Sequence, residues 1–134
     1  IGINEIFLLL LESFRDKQIR LTASLTTAHR TTKMFLASLR EHIDEPWTLE
    51  SMAEHCGLGV TRFVHYCREI TNQTPVNYLN QLRIEEAGRL MKRNPRRKII
   101  DVALDCGFSS GQYFATVFKK FTGVPPQEYR NNCG

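Results

Sequence analysis

Apolar residues recur along most of this chain at intervals of three and four positions, the spacing that gathers them on one face of an α-helix. Nowhere is the two-residue alternation of a half-buried strand sustained. Two stretches carry the same arrangement. In Leu49 to Gly57, and again in Ile99 to Gly107, apolar positions fall at i, i+3, i+4 and i+7 and a glycine closes the run. Each predicts a two-turn helix with one buried face, ended by a residue that tolerates positive φ. The copies lie 50 residues apart. After one extra residue in the second copy the register resumes at 51, pairing Phe63 with Phe114, Thr71 with Thr122, Pro75 with Pro126 and Tyr78 with Tyr129.

Each copy continues into a longer amphipathic helix. Its apolar face is Phe63, Tyr66, Cys67 and Ile70 in the first copy and Phe114, Val117, Phe118 and Phe121 in the second, where Ser109 or Ser110 is placed to cap the start. Short helix, glycine turn and longer helix together make a helix-turn-helix unit. Seen once, such a corner is a weak signal, because many helical bundles contain one. Repeated at fixed spacing, it is much stronger.

Between the copies the pattern predicts one continuous helix from Thr74, the N-cap, through Arg93, with Pro75 accepted at the first helical position and Asn94-Pro95 ending it. Tyr78, Leu82, Ala87, Leu90 and Met91 would face the two units, and Asn80, Glu85, Glu86 and Lys92 would face water. About 18 residues of helix span roughly 27 Å, comparable to the roughly 34 Å between successive major grooves on one side of a duplex. Upstream, Met34, Phe35, Leu36, Leu39 and Ile43 mark a helix that ends before Glu45-Pro46-Trp47, and Thr48 can cap the next one. Residues 15 to 33 read as a linker or weaker helix, and residues 1 to 14 as an apolar helix with Ile3, Ile6, Phe7, Leu10 and Phe14 on one side. The expected fold is all-α: two helix-turn-helix modules joined by a long connector helix, with an extra N-terminal helical segment. The domain reading is an N-terminal segment over 1–33, then a first module over 34–72, a connector over 74–93 and a second module over 96–131.

The length of 134 residues and the 42% hydrophobic and 24% charged content fit one folded domain or two small modules, and the chain is too short to hold a dinucleotide-binding unit plus a substrate domain. Lys+Arg outnumber Asp+Glu by 18 to 14, and the excess is uneven: residues 89 to 134 hold nine basic and three acidic side chains. Arg89, Lys92, Arg93, Arg96, Arg97 and Lys98 form a run without an acid, suited to phosphate contact. Arg83, close to Glu85 and Glu86, reads as a structural ion-pair or capping residue. Tyr78 and Tyr129, each three residues beyond a repeated proline, read as packing residues that close the modules.

Cys56, Cys67, Cys106 and Cys133 form no CxxC pair and point to a reduced cytosolic setting, with the first three on core faces. His55, Cys56, His65 and Cys67 match none of the usual zinc spacings, so no metal and no cofactor are expected. No nucleophile elbow, phosphate loop, dinucleotide fingerprint or convergent acid pair supports a catalytic class. The longest apolar run, Ile6 to Leu11, is far short of the roughly 20 residues of a membrane span. The chain opens on Ile1, which leads us to expect a piece of a longer protein.

These residues resemble the DNA-binding domain of the AraC/XylS family of bacterial transcription regulators. The resemblance is carried most clearly by Ile99 to Ser110, then by Tyr113-Phe114, Phe118-Lys119-Lys120 and Gly123 to Arg130, and it extends back to about Met34. It implies seven helices with two helix-turn-helix modules, no enzymatic step, and promoter DNA as the partner, read as a monomeric tandem in two neighbouring major-groove segments. It further implies that the exposed face after each glycine turn reads bases: Thr61, Arg62, Val64 and His65 in the first module, and Gly111, Gln112, Ala115 and Thr116 in the second. His65 and Thr116 stand where the family often has arginine. Readout would accordingly shift toward thymine-methyl contacts from Val64 and Ala115 and an adenine contact from Gln112. Gly111 has an alternative role, relieving crowding at the helix start. Cys67 replaces what is commonly an aromatic core residue.

Phosphate contacts are expected from Arg68, Arg96, Arg97, Lys98, Ser110, Lys119 and Lys120. Further expectations are RNA polymerase as a second partner if the protein activates, a homodimer through the N-terminal region or through a missing sensor domain, no membrane partner, and a cytoplasmic location at the bacterial nucleoid. Two alternatives stay open on the residues alone. One is a helical protein-interaction module; the other is a thiol redox sensor using Cys56 or Cys106, which needs exposed thiols of low pKa.

Overall fold

Every regular element among the described residues, Arg15 and 25–133, is helical in the computed structural model. Helix α1 covers residues 25–38 and tightens into a 3-10 turn over Leu39–His42. There follow α2 (Leu49–His55), α3 (Val60–Thr71), α4 (Pro75–Arg93), α5 (Ile99–Asp105), α6 (Gly111–Thr122) and α7 (Pro126–Cys133). The all-α expectation holds, with α2–α3 and α5–α6 as the two helix-turn-helix units. The apolar helix expected over residues 1 to 14 lies outside the described residues.

Both units are built by the same local chemistry. After α2, the Leu58 amide donates to Ala53 O at 3.0 Å and the Gly57 amide to Glu54 O at 2.9 Å; after α5, Phe108 donates to Ala103 O and Gly107 to Leu104 O, both at 3.0 Å. This paired closure requires a left-handed residue, and Gly57 and Gly107 supply it at φ of 68° and 98°. The long helices end alike too, at Asn72 (φ 60°) and Gly123 (φ 85°), positions related by the 51-residue offset. The starts differ. Thr48 and Ser51 form a reciprocal capping box on α2, whereas α5 begins at Lys98 with no side-chain cap.

Two hydrophobic cores result. The first gathers Phe35, Leu36, Leu39, Met52, Phe63, Cys67, Leu79 and Leu82; the second gathers Ile84, Ala87, Met91, Val102, Cys106, Phe108, Phe114 and Phe118. Connector α4 thus serves the first core with its N-terminal half and the second with its C-terminal half. Its start is as expected, with Thr74 Oγ1 accepting from the Asn77 amide at 3.3 Å and Pro75 at the first position. Tyr78 packs on the first core and Tyr129 stacks edge-on against Phe118 at 5.1 Å, so both tyrosines pack as expected.

Three readings are corrected. Asn80 was expected to face water, yet it is buried, because its amide donates to the Tyr113 hydroxyl at 3.0 Å and so ties α4 to α6. Met34 was placed on the buried stripe of the first helix but is 66% exposed. The stripe is Ala28, Thr32, Phe35, Leu36 and Leu39, so α1 starts inside the stretch read as linker or weaker helix. Thr32 tolerates full burial because its hydroxyl donates to Ala28 O at 2.9 Å. Of the two structural roles expected of Arg83, ion pair or cap, it takes the second: it donates to the Ile43 and Glu45 carbonyls.

Candidate nucleic-acid interface

Burying one face of α3 and α6 in the separate cores leaves the other face of each helix outward. On α3 that face carries Thr61, Arg62 and His65, all exposed, with Val64 half-buried beside them. On α6 it carries Gln112 and Thr116, exposed, with Gly111 and Ala115 half-buried. All eight residues expected to read bases are therefore found on two outward faces, one per module. Tyr113 joins them: it is 44% exposed and stands, by the 51-residue offset, where the first module has Arg62. That offset was the signal that would have identified it.

The two faces differ chemically. On α3, His65 Nε2 lies 3.2 Å from Glu69 Oε1 one turn on, and its ring sits edge-on to Tyr66. A ring nitrogen at a position expected to read bases is thus already oriented, and the carboxylate beside it offsets part of the positive charge of Arg62 and Arg68. On α6 there is no acidic residue at all. Thr116 Oγ1 donates to Gln112 O at 3.1 Å, which uses the hydroxyl proton within the helix. Gln112 keeps its whole amide outward, and no other described side chain engages it. A Cβ on Gly111 would approach Ile100 Cδ1 to 3.0 Å, so relief of crowding at the helix start is a sufficient reason for this glycine.

The residues expected at phosphates separate by how committed they already are. Arg96 and Lys98 are exposed in the loop before α5, and Lys119 is exposed on α6, each without a polar partner among the described residues. Arg97 is engaged by Asp105, and its carbonyl accepts from Arg130, so it braces the loop against α5 and α7. Lys120 Nζ donates to Asn77 Oδ1 at 3.4 Å. Arg68 borders a polar recess formed with Asn72, Gln73, Thr74 and Asn77 where α3 meets α4. The Ser110 hydroxyl accepts from the Tyr113 amide at 3.1 Å, which makes Ser110, and not Ser109, the cap of α6. Arg89 is held by Glu86 at 2.9 Å.

Other chemistries find little to work with. Cys56, Cys67 and Cys106 are buried. Burial pushes the Cys56 thiol up to about 11 and the Cys106 thiol up to about 12, and raises Cys67 as well. The thiol-sensor alternative is corrected on this point, because a reactive cysteine needs the opposite environment, exposed and electropositive. Among the described residues no three His, Cys, Asp or Glu side chains converge as a metal site, and no helix is long and apolar enough to cross a membrane.

Comparison with known proteins agrees with this geometry. A family model described as a helix-turn-helix domain matches residues 52–132. The transcriptional regulator ArgR of Pseudomonas aeruginosa is 30% identical over 120 residues, covering 90% of this chain and 36% of that protein. The transcriptional activator RhaR of Cronobacter sakazakii is 33% identical over 104 residues, covering 78% and 36%. The chain thus spans about a third of the length of these curated relatives. Among solved structures, the DNA-binding domain of the global transcriptional factor AdpA in complex with a target DNA superposes with a TM-score of 0.70 at 25% identity, covering 75% of this chain and 90% of that one. The C-terminal domain of AraT, a response regulator from Geobacillus stearothermophilus, gives 0.69 at 25% identity, covering 78% and 84%.

Proposed function

We propose, because this chain belongs to the AraC-type helix-turn-helix family of transcription regulators, that it binds double-stranded promoter DNA with α3 and α6 in two neighbouring stretches of major groove. The observation that carries the proposal is the duplication. Two helices of identical length each bury one face in a core of their own and turn a short polar face outward, and one connector carries both.

Thr61, Arg62, Val64 and His65 would read one box, and Gly111, Gln112, Ala115 and Thr116 the other. An amide such as that of Gln112 can pair with adenine through both its donor and its acceptor, and an arginine such as Arg62 can pair with guanine. Arg68, Arg96, Lys98, Ser110, Lys119 and Lys120 would meet phosphates, with Arg97 holding the loop that presents its neighbours. Those contacts supply affinity through counterion release, and the base-edge contacts supply specificity. No chemical step is involved. For the full-length protein we propose further a cytoplasmic location at the nucleoid, RNA polymerase as second partner where it activates, and pairing of two copies through its N-terminal region or a further domain.

The test is a binding titration of the chain with duplex DNA over a range of salt concentrations. The reading expects log affinity to fall linearly with log salt, by about 0.9 per phosphate neutralised. A chain that binds duplex weakly at every salt concentration, yet captures a protein partner through α3 or α6, would overturn it in favour of a protein-interaction module.

A further inference from the structure

Two separate apolar cores resist being pulled apart, but apolar contact has no direction, so cores alone do not set the angle between α3 and α6. Direction needs hydrogen bonds, and they converge at the border of the cores. That border falls within α4, between Leu82 of the first core and Ile84 of the second. Arg83 occupies it, 6% exposed.

The Arg83 guanidinium reaches both modules. Nε donates to Ile43 O and Nη2 to Glu45 O, each at 2.8 Å, in the segment that leads from α1 into the first helix-turn-helix unit. On its other side its central carbon lies 5.8 Å from the ring centroid of Phe108, the buried residue that follows the glycine turn of the second unit. Gly107 completes the junction. A Cβ there would strike the Ile43 carbonyl oxygen and come within 2.9 Å of Arg83 Nη2, so the turn of the second unit lies directly against the exit of α1. Among the described residues no carboxylate pairs with Arg83; two backbone carbonyls and a ring face hold its charge. Five donors in a rigid plane suit such a three-sided junction, and the single point charge of a lysine does not.

We propose that Arg83 is a positioning residue for DNA specificity: by bonding one module and stacking on the other, it fixes the separation of boxes that the protein accepts. This rests on the reading of α3 and α6 as the two DNA-reading helices. One base pair more or less between the boxes moves the second by about 3.4 Å and rotates it by about 34° around the duplex. A pair of readers held in one orientation cannot follow that motion, whereas loosening the Arg83 junction leaves the shared connector and the bonds of Asn80 to Tyr113 and of Lys120 to Asn77 as the remaining restraints on the angle. Arg83 touches no DNA in this scheme; it acts through the angle between the modules.

The experiment uses duplexes carrying the two boxes selected by the wild-type chain, at the selected separation and with one base pair added or removed. Wild type is expected to lose about tenfold or more on either altered duplex, comparable to a mismatched base pair. Arg83→Gln should bind the selected separation less well but lose only about two- to threefold more on the altered ones, a loss far below a full mismatch, and Arg83→Lys should fall between. A merely structural role would weaken all three duplexes by the same factor, and that result in variants that still unfold cooperatively would overturn the proposal. If Arg83→Gln does not fold, Arg83→Lys makes the same comparison. The wild type decides independently of any variant. Equal binding at all three separations sinks this inference alone, and failure to select any boxes sinks the DNA-reading assignment on which it rests.

Discussion

Gln112 and Lys119 lie two turns apart on α6 and share exposure, yet their chemistry sets them different tasks. The amide offers a donor and an acceptor side by side, so Gln112→Ala is expected to cost about 1 to 3 kcal/mol at one base-pair position and little elsewhere. Competition binding against single-substituted duplexes checks this, and an equal loss on every sequence would contradict it. Lys119 offers charge alone. Lys119→Ala should weaken all sequences alike and reduce the slope of log affinity against log salt by about one. The buried thiols give a third expectation. With Cys106 held near 12 when folded and titrating near 9.0 when exposed, the unfolded chain loses its proton first as pH rises. Folding stability therefore drops above about pH 9, and Cys106→Ala should flatten that part of the thermal-melting profile relative to wild type. Identical profiles would show that the thiol does not contribute.

At the scale of elements, the two turn glycines occupy related positions in the repeat but have unequal surroundings. Gly57 has open space where a Cβ would stand, while Gly107 faces the Ile43 carbonyl and Arg83. Gly57→Ala should cost only the left-handed backbone strain, about 1 to 2 kcal/mol, whereas Gly107→Ala adds a collision of about 1 to 3 kcal/mol. Chemical denaturation of both variants measures the difference, and equal costs would mean that the junction yields. The repeat itself was legible because each copy places its apolar residues and its glycine at fixed spacing, a pattern that local physics must respect. Asn80 and Thr32 were not legible in the same way. Asn80 enters the interior because the distant Tyr113 hydroxyl on α6 satisfies it, and Thr32 because its hydroxyl bonds the Ala28 carbonyl one turn back on its own helix, so neither looks apolar in the sequence. Met34 failed in reverse, being apolar but one position off the stripe that α1 buries. The outward faces of α3 and α6 could be placed from the resemblance together with the buried stripe. The binding of Arg97 by Asp105, and of His65 by Glu69, needed three dimensions or a choice among several charged neighbours.

The whole molecule is two helix-turn-helix modules on one shaft. Each module owns a core, and α4 runs through both, so disturbance of one core should leave the other reader folded but misplaced. Positive charge in the second half of the chain biases contact toward the α5–α6 module, where Arg96, Lys98 and Lys119 stand uncommitted among the described residues. If α3 and α6 read DNA as proposed, the second box is expected to contribute more of the salt-dependent affinity than the first. The most direct test of the central claim is selection of bound sequences from a pool of random duplexes. Two short, non-palindromic boxes centred about 10 base pairs apart are the predicted outcome, one for each reading helix. A single box, or no enrichment with weak and steeply salt-dependent binding, would contradict the tandem reader.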